Sequence, residues 1–255
     1  AGLSAAATSW RGWNVDAQLL SQESLAALEP RLQPTATCGG DSVALLLPGE
    51  SQVRNPWHLA ALLAACERAG VAVEPSVQVR GFTRQGGRLL GVETSAGKRS
   101  ADRFCISGGA WSAGLLDPLG VALPIVPIRG QIVLFHAAGR LFTRIINVGK
   151  RYLVPRGDGR VLAGSTEELA GFDKRNTDEA VAELIRFARS LVPALSEATV
   201  ERTWAGLRPG TPDELPYLGP LPGLENAWVA AGHFRAGLQL SPATAVAMAS
   251  LLRGE

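Results

Sequence analysis

Cysteine is scarce in this sequence, with three residues among 255, and methionine occurs once. The cysteines, Cys38, Cys66 and Cys105, lie far apart and show no metal-ligand spacing. Their odd number argues against a framework of disulfide bonds, which is typical of small secreted proteins. We therefore predict a reducing compartment, the cytoplasm, and no metal site.

Long apolar runs and a strong charge of one sign are also missing. No run approaches the roughly 20 apolar residues that span a bilayer, so a membrane is not an expected partner. The net charge is only +2 and forms no basic stripe, which disfavours nucleic acid as a partner. Hydrophobic residues make up 46% of the chain, and this fraction with so little net charge excludes intrinsic disorder.

The order of apolar runs, caps and turns predicts α/β units that enclose a mostly antiparallel block. Helices are predicted at 21–28, 57–68, 177–191 and 241–252, each with cap or turn residues at its ends. A three-stranded meander begins at residue 77 and leads into a core strand at 103–106. Further strands are predicted at 43–47, 71–73, 124–135, 152–156, 161–165, 200–207 and 227–231, and a proline-rich loop at 211–224.

Two strand-turn-helix junctions, 106–112 and 229–238, are rich in glycine. Glycine lets the backbone approach a ligand closely, and a helix N-terminus presents free N–H groups and the positive end of its dipole. Such a junction can hold a phosphate group or an electron-rich ring. Each junction also has an ordinary interpretation, which is a turn that requires positive φ.

Positive charge is carried by 22 arginines against three lysines, and arginine is suited to bidentate binding of anions. Arg208 ends an apolar strand and is followed by Pro209, so it is either a rigid clamp for a carboxylate or part of a surface ion pair. Arg235 in the second glycine-rich junction has the same two interpretations. Tyr152 alternates with apolar residues, and its hydroxyl either binds a carboxylate or completes a half-buried strand.

Five sequence motifs stand out between about residue 15 and residue 252. They are SGGAWS (107–112), PIRGQ (127–131), RYLVPR with GDGR and VLAGST (151–166), WAGLRPGTPDELPYLG (204–219) and AAGHFRAGLQLSPATA (230–245). Together they resemble the FAD-dependent D-amino-acid oxidase family, and within it the glycine oxidases of thiamine biosynthesis. The pair WAGLRPGT and GHFRAGLQLSPAT is the most specific part of the resemblance.

The resemblance implies an α/β (α+β) fold with two parts. One is a doubly wound FAD-binding domain that is truncated at its N-terminus, and the other is a substrate domain with a mixed, mostly antiparallel sheet. Residues 1–47 and 122–222 would belong to the substrate domain. Residues 48–121 and 223–255 would belong to the FAD-binding domain.

The resemblance also assigns roles in catalysis. Arg208 would hold the substrate carboxylate, Tyr152 would hydrogen-bond the same carboxylate, and Arg235 would be a second arginine of the active site. The implied reaction is oxidative deamination of glycine, sarcosine or a D-amino acid. A neutral substrate amine passes hydride to the flavin, the imine hydrolyses, and oxygen reoxidises the flavin with release of hydrogen peroxide. Because this chemistry depends on positioning, it needs no dedicated protein base.

The implied cofactor is FAD. It would be bound non-covalently, because no cysteine lies near the positions where sarcosine-type oxidases attach their flavin. A structural role in bonding neighbouring backbone remains open for the histidine in the second junction. The residues that would line FAD are Val79, Gly108, Gly109, Trp111, Gly232, His233, Arg235, Gly237 and Leu238.

Three departures from the family pattern matter. No GxGxxG loop occurs in the sequence, although the family begins with one. We expect an N-terminally truncated form; the alternatives are a separate chain that supplies this half, or a protein that no longer binds flavin. Lys150 and Glu167 stand where the family often has other residues, and both would shift the substrate preference away from glycine. Apolar surface left open by the missing strands would be covered by a second copy or by a separate N-terminal chain.

Two other functions remain open from the sequence. The first is a flavin dehydrogenase of the same fold that passes electrons to an acceptor other than oxygen. The second is a truncated, non-catalytic protein that uses Arg208 and Arg235 to bind a carboxylate ligand without flavin. The absent glycine-rich loop motivates the second alternative.

Overall fold

A computed structural model describes residues 2–33 and 43–255, so Cys38 lies outside the described residues. The helices are α1 (Gly2–Gly12), α2 (Gln22–Leu28), α3 (Asn55–Arg68), α4 (Ser112–Leu116), α5 (Asp178–Leu191) and α6 (Gly237–Arg253). The strands are β1 (Gln18–Leu20), β2 (Ala44–Leu46), β3 (Val79–Gln85), β4 (Arg88–Thr94), β5 (Gly97–Ser100), β6 (Phe104–Ile106), β7 (Val126–His136), β8 (Ile146–Val148), β9 (Arg151–Pro155), β10 (Arg160–Gly164), β11 (Thr199–Gly210), β12 (Tyr217–Pro220) and β13 (Ala227–Ala231).

The chain divides into two compact units. Unit 1 contains residues 1–59, 131–166 and 175–205. Unit 2 contains residues 60–130, 167–174 and 206–255. The functional assignment of the four domain ranges made from the sequence stays a prediction.

The core of unit 1 lies between α5 and a five-stranded sheet with the order β11-β7-β10-β9-β8. Val161 of β10 lies opposite Phe135 of β7 in antiparallel register. Phe135, Leu153 and Leu184 are fully buried in this core. Each such side chain contributes about 1.5–3 kcal/mol by leaving water. Thr177 caps α5, since its side-chain oxygen accepts a hydrogen bond from the backbone N–H of Ala180.

Unit 2 contains two three-stranded sheets, ordered β12-β13-β6 and β3-β4-β5. The buried Asn226 side chain connects segments of both sheets. It accepts from Leu89 N at 2.9 Å and donates to the backbone oxygens of Leu89 and Asp102, each at 2.9 Å. Because a buried amide without partners would be costly, these three bonds fix the relative position of the segments that they join.

Most of the predicted elements are confirmed, including the meander β3-β4-β5, the hairpin β9-β10 and helices α2, α3 and α5. The predicted strand at 71–73 is wrong, because the described chain has no strand there. A short apolar run forms a strand only by bonding to a neighbouring strand. The loop predicted at 211–224 is corrected as well, since it includes β12, which pairs with β13.

The start of α6 was predicted four residues too late. A helix from residue 241 places Pro242 in the first turn, where its missing N–H is harmless. In the structure α6 begins at Gly237 and contains Pro242. The Ser241 hydroxyl donates to the backbone oxygen of Leu238 at 2.8 Å, which is the acceptor that the N–H at position 242 would otherwise serve.

Helix α3 buries none of its residues. Its exposed apolar residues include Trp57, which is 68% exposed, together with Leu59, Leu62 and Leu63. Exposed apolar surface of this kind was predicted, and the partner that would cover it stays a prediction. In the described part of the chain, no helix is both long and apolar enough to cross a membrane.

Candidate active site

The two glycine-rich junctions lie at the same edge of one sheet. Strands β6 and β13 are parallel, with Ile106 opposite Val229, so their carboxyl ends are side by side. Gly109 follows β6 with φ +56°, and Gly232 follows β13 with φ +86°. Left-handed backbone at these two positions favours glycine. The carboxyl edge of parallel strands is the usual place for a ligand in an α/β sheet.

The second junction leads into the N-terminus of α6. The N-cap residue, Ala236, makes no side-chain hydrogen bond to the helix. Phe234 has φ +46°, an uncommon conformation for a bulky residue, and its N–H donates to Pro209 O at 3.1 Å. This bond connects the turn to the end of β11. Arg235 follows Phe234 in the chain and Arg208 precedes Pro209, so each arginine is adjacent in sequence to one partner of the bond.

The residues predicted to line FAD all belong to unit 2. Val79 begins β3, opposite Thr94. Trp111 is 51% exposed and stacks on Phe172, with ring centroids 5.6 Å apart and an interplanar angle of 29°. No local sequence pattern predicts this aromatic pair. Its partner ring lies on the segment 167–174, which joins unit 2 from a distant part of the chain.

His233 bonds a side chain of the following helix. Its Nε2 lies 2.9 Å from Oγ1 of Thr244, which lies about two turns into α6. Burial lowers the pKa of the His233 imidazole from its ordinary value. The neutral ring is therefore the favoured form at neutral pH, which suits a structural link between the junction and α6.

The lowered pKa of His233 predicts acid sensitivity. The unfolded imidazole takes up a proton near its ordinary pKa of about 6.5, and the folded one only at lower pH. The stability that the neutral ring contributes is therefore present above pH 6.5 and is lost as the pH falls through the folded pKa. We expect His233→Gln to flatten the fall of Tm between pH 7 and pH 5. Equal slopes for both proteins would contradict this role.

Arg208 lies near the end of β11 with its guanidinium directly against the backbone of Gly130 in β7. A Cβ atom placed on Gly130 would be only 2.6 Å from Arg208 Cζ. Such a distance is not tolerated, so glycine at position 130 is what leaves room for the guanidinium. The position at the strand end agrees with the sequence-based expectation.

Tyr152 has the same relation to another glycine. It lies in β9 opposite Gly164 of β10, and a Cβ on Gly164 would be 2.7 Å from both the Cζ and the hydroxyl oxygen of Tyr152. Tyr152 belongs to unit 1, whereas Arg208 and Arg235 belong to unit 2. Sequence reasoning missed Gly130 and Gly164, although a glycine inside a predicted strand is itself a signal of close approach.

The structure predicts that Gly164→Ala displaces the Tyr152 ring. The tyrosine is the mobile partner of the clash, so its hydroxyl moves while the fold is kept. We expect the ring resonance of Tyr152 to shift in NMR spectra. Tryptophan fluorescence should stay at the wild-type level, and Tm should change by only a few degrees. Gly139→Ala is the matched control, because a Cβ there meets no atom within 4 Å. An unmoved Tyr152 resonance in Gly164→Ala would contradict the contact.

Arg235 pairs with Glu167 across unit 2. Arg235 Nη1 lies 2.8 Å from Glu167 Oε1, and the side chains are 35% and 15% exposed. The next residue, Glu168, forms an ion pair with Arg129, whose side chain is 9% exposed. Arg129 Nη1 also lies 3.5 Å from Asp173 Oδ2. These ion pairs hold the segment 167–174 in place.

Comparison with known proteins identifies relatives. A family model described as FAD dependent oxidoreductase (DAO) matches residues 1–251. Glycine oxidase of Pseudomonas aeruginosa is 42% identical over 212 residues, which cover 83% of this chain and 58% of that protein. Hydrogen cyanide synthase subunit HcnC of the same organism is 40% identical over 204 residues, which cover 79% of this chain and 49% of that protein.

A solved structure shows the same fold. The crystal structure of glycine oxidase from Geobacillus kaustophilus matches with a TM-score of 0.91 and 32% identity, covering 99% of this chain and 67% of that chain. The chain spans 58% of the length of the P. aeruginosa glycine oxidase. The predicted α/β class and the resemblance are confirmed, and FAD is the cofactor of the family. The chain belongs to the DAO family of FAD-dependent oxidoreductases.

Proposed function

We propose that this chain forms part of an enzyme that oxidises a small amino acid or amine, such as glycine, sarcosine or a D-amino acid. The main observation behind the proposal is the close packing of the Arg208 guanidinium against the backbone of Gly130, which positions this group at the end of β11. A guanidinium binds a carboxylate through two parallel hydrogen bonds. The P. aeruginosa relative, which is 42% identical, is named a glycine oxidase.

The residues present fit FAD at the edge formed by β6 and β13. A Cβ on Gly109 would meet no atom within 4 Å, so this glycine presents open backbone beside a left-handed turn. Helix α6 begins there without a side-chain cap, and its N-terminal N–H groups suit an electronegative oxygen. When bound, FAD would take up the hydride released from the substrate carbon and pass the electrons to an acceptor.

The chain's own residues would then bind and orient the substrate. Arg208 would fix the carboxylate with two hydrogen bonds. The role of Tyr152, which belongs to unit 1, stays a prediction. Fixing the carboxylate orients the neighbouring carbon, and such positioning supplies much of the rate enhancement in a reaction without a dedicated base. Arg235 would add a second guanidinium at the same end of β11, next to the bond between Phe234 N and Pro209 O.

Flavin absorption tests the proposal. The chain is incubated with FAD, passed through gel filtration, and mixed without oxygen with glycine, sarcosine or D-alanine. We expect a flavin band that stays with the protein and is bleached by at least one of these amines. A chain that stays colourless would contradict FAD binding by these residues. A retained band that none of the amines bleaches would contradict the proposed reaction.

The electron acceptor is the finer question. Release of hydrogen peroxide in air would favour an oxidase, as in the relatives named glycine oxidase. The flavin dehydrogenase that the sequence left open stays the second candidate. Turnover of an artificial dye without oxygen, together with little peroxide in air, would favour the dehydrogenase. A cytoplasmic location and the covering partner are proposed on the sequence grounds given above.

A further inference from the structure

The pair of Arg235 and Glu167 joins two positions of unequal burial. The Glu167 side chain is 15% exposed and that of Arg235 is 35% exposed, with 2.8 Å between Oε1 and Nη1. A carboxylate largely removed from water binds strongly to a guanidinium at this distance. Glu167 is also one of the positions at which the sequence departs from the family pattern.

The position of Glu167 is fixed by the backbone hydrogen bonds of the next residue, Glu168. Glu168 and Arg129 exchange two backbone hydrogen bonds, of 2.9 Å and 3.0 Å, so the chain at residue 168 is bonded to β7. The Arg129 side chain adds a bond from Nε to Glu168 Oε2 at 3.1 Å. A carboxylate on such a fixed backbone keeps its position when a ligand approaches, which a residue on a loose loop would not do.

Arg235 lies on a turn whose backbone is bonded to the strand end that carries Arg208. The bond from Phe234 N to Pro209 O, 3.1 Å long, connects the turn that carries Arg235 with the strand end that carries Arg208. The two guanidiniums thus belong to segments that are bonded to each other within unit 2. An anion at one of them is subject to the charges around the other.

We propose that Glu167 determines substrate specificity by restricting the site to substrates with a single carboxylate. This inference rests on the proposed function. A second carboxylate on the substrate would have to displace Glu167 from Arg235, and would then face the negative charge of Glu167 itself. Repulsion between like charges of this kind rejects the wrong ligand without weakening the right one.

Ligand binding by the full chain tests this inference without any need for catalysis. The probes are glycolate, which carries one carboxylate and no amine to oxidise, and hydroxymalonate, which is glycolate with a second carboxylate. Calorimetry gives the Kd of each for the wild type and for Glu167→Gln, which keeps the shape and removes the charge. We expect the ratio of the hydroxymalonate Kd to the glycolate Kd to fall at least about tenfold in Glu167→Gln, because the charge of Arg235 then attracts the second carboxylate without the opposing charge of Glu167.

Three further variants make the result specific. Glu74→Gln is the matched control, because Glu74 forms a bidentate pair with Arg99 elsewhere in unit 2, and its ratio should equal that of the wild type. Combining Glu167→Gln with Arg235→Gln should restore the wild-type ratio. Glu167→Leu repeats the test if the glutamine variant fails to fold, as judged by circular dichroism.

The outcomes separate this inference from the proposed function. If the wild type binds glycolate through Arg208 but the ratio is unchanged in both Glu167 variants, the role of Glu167 is overturned and the carboxylate site stands. If glycolate binding is absent, or is unaffected by Arg208→Ala, the carboxylate site itself fails and the inference falls with it. A lower ratio that persists when Arg235 is also replaced would overturn the part assigned to Arg235.

Discussion

Gly130→Ala is expected to weaken carboxylate binding at least about tenfold, or ~1.4 kcal/mol, while the fold is kept. The new methyl group would lie 2.6 Å from Arg208 Cζ, so the two groups cannot both stay. The guanidinium is the far end of a flexible side chain and moves more easily than the β7 backbone. Its displacement breaks the alignment needed for two parallel hydrogen bonds. Calorimetry with glycolate measures the change.

The control for this prediction is Gly206→Ala. Gly206 lies in β11 beside the same functional strand end, and a Cβ there would meet no atom within 4 Å. We expect glycolate to bind Gly206→Ala as it binds the wild type, and both variants to unfold within a few degrees of the wild-type Tm. Unchanged binding in Gly130→Ala would show that the position of the guanidinium does not matter for the ligand.

Arg208→Ala is expected to have the largest effect on binding. Removing one partner of a buried carboxylate–arginine pair typically costs about 2–5 kcal/mol, so glycolate binding should fall by about thirtyfold or more. Arg208→Lys keeps the charge and loses the planar pair of donors, and an intermediate loss is expected. The same series should slow the anaerobic bleaching of flavin by an amine substrate.

Arg202→Ala is the matched control on the same strand. The Arg202 guanidinium lies 5.8 Å from the Trp204 ring centroid, and its removal takes away one positive charge from β11. If charge alone attracted the ligand, the two alanine variants would lose similar affinity. We expect a large loss for Arg208→Ala and little change for Arg202→Ala. Equal losses would contradict a specific carboxylate contact at Arg208.

Much of the fold follows from local sequence patterns such as helix caps and turns. Thr177 caps α5 as its position suggests, and the turn at 157–159 joins β9 and β10. Pro242 suggested that α6 begins at residue 241, but the helix begins four residues earlier. The Ser241 hydroxyl donates to the Leu238 oxygen that the missing N–H of the proline leaves open. The strand at 71–73 was wrong because an apolar run cannot show whether a neighbouring strand is there to bond.

The sequence names candidate residues for the site but not their contacts, and the roles of these residues stay predictions. Arg208, Tyr152 and Arg235 stand in recognisable motifs, so the sequence could name them. Arg208 packs against Gly130 and Tyr152 packs against Gly164. Both contacts join neighbouring strands, so they depend on the strand order of the sheet. The pairing of Arg235 with Glu167 depends on a backbone bridge between Arg129 and Glu168. These two residues are far apart in the chain, so no local sequence pattern predicts the bridge.

The NMR signal of the Arg208 guanidinium shows whether this group holds the substrate carboxylate. The Nε–H resonance of Arg208 in the labelled chain is identified by its absence from Arg208→Ala. During a titration with glycolate, we expect a saturable shift of this resonance with the same Kd that calorimetry gives, and a much weaker response in Gly130→Ala. A resonance that stays in place while glycolate binds would show that the carboxylate is held elsewhere and not by Arg208.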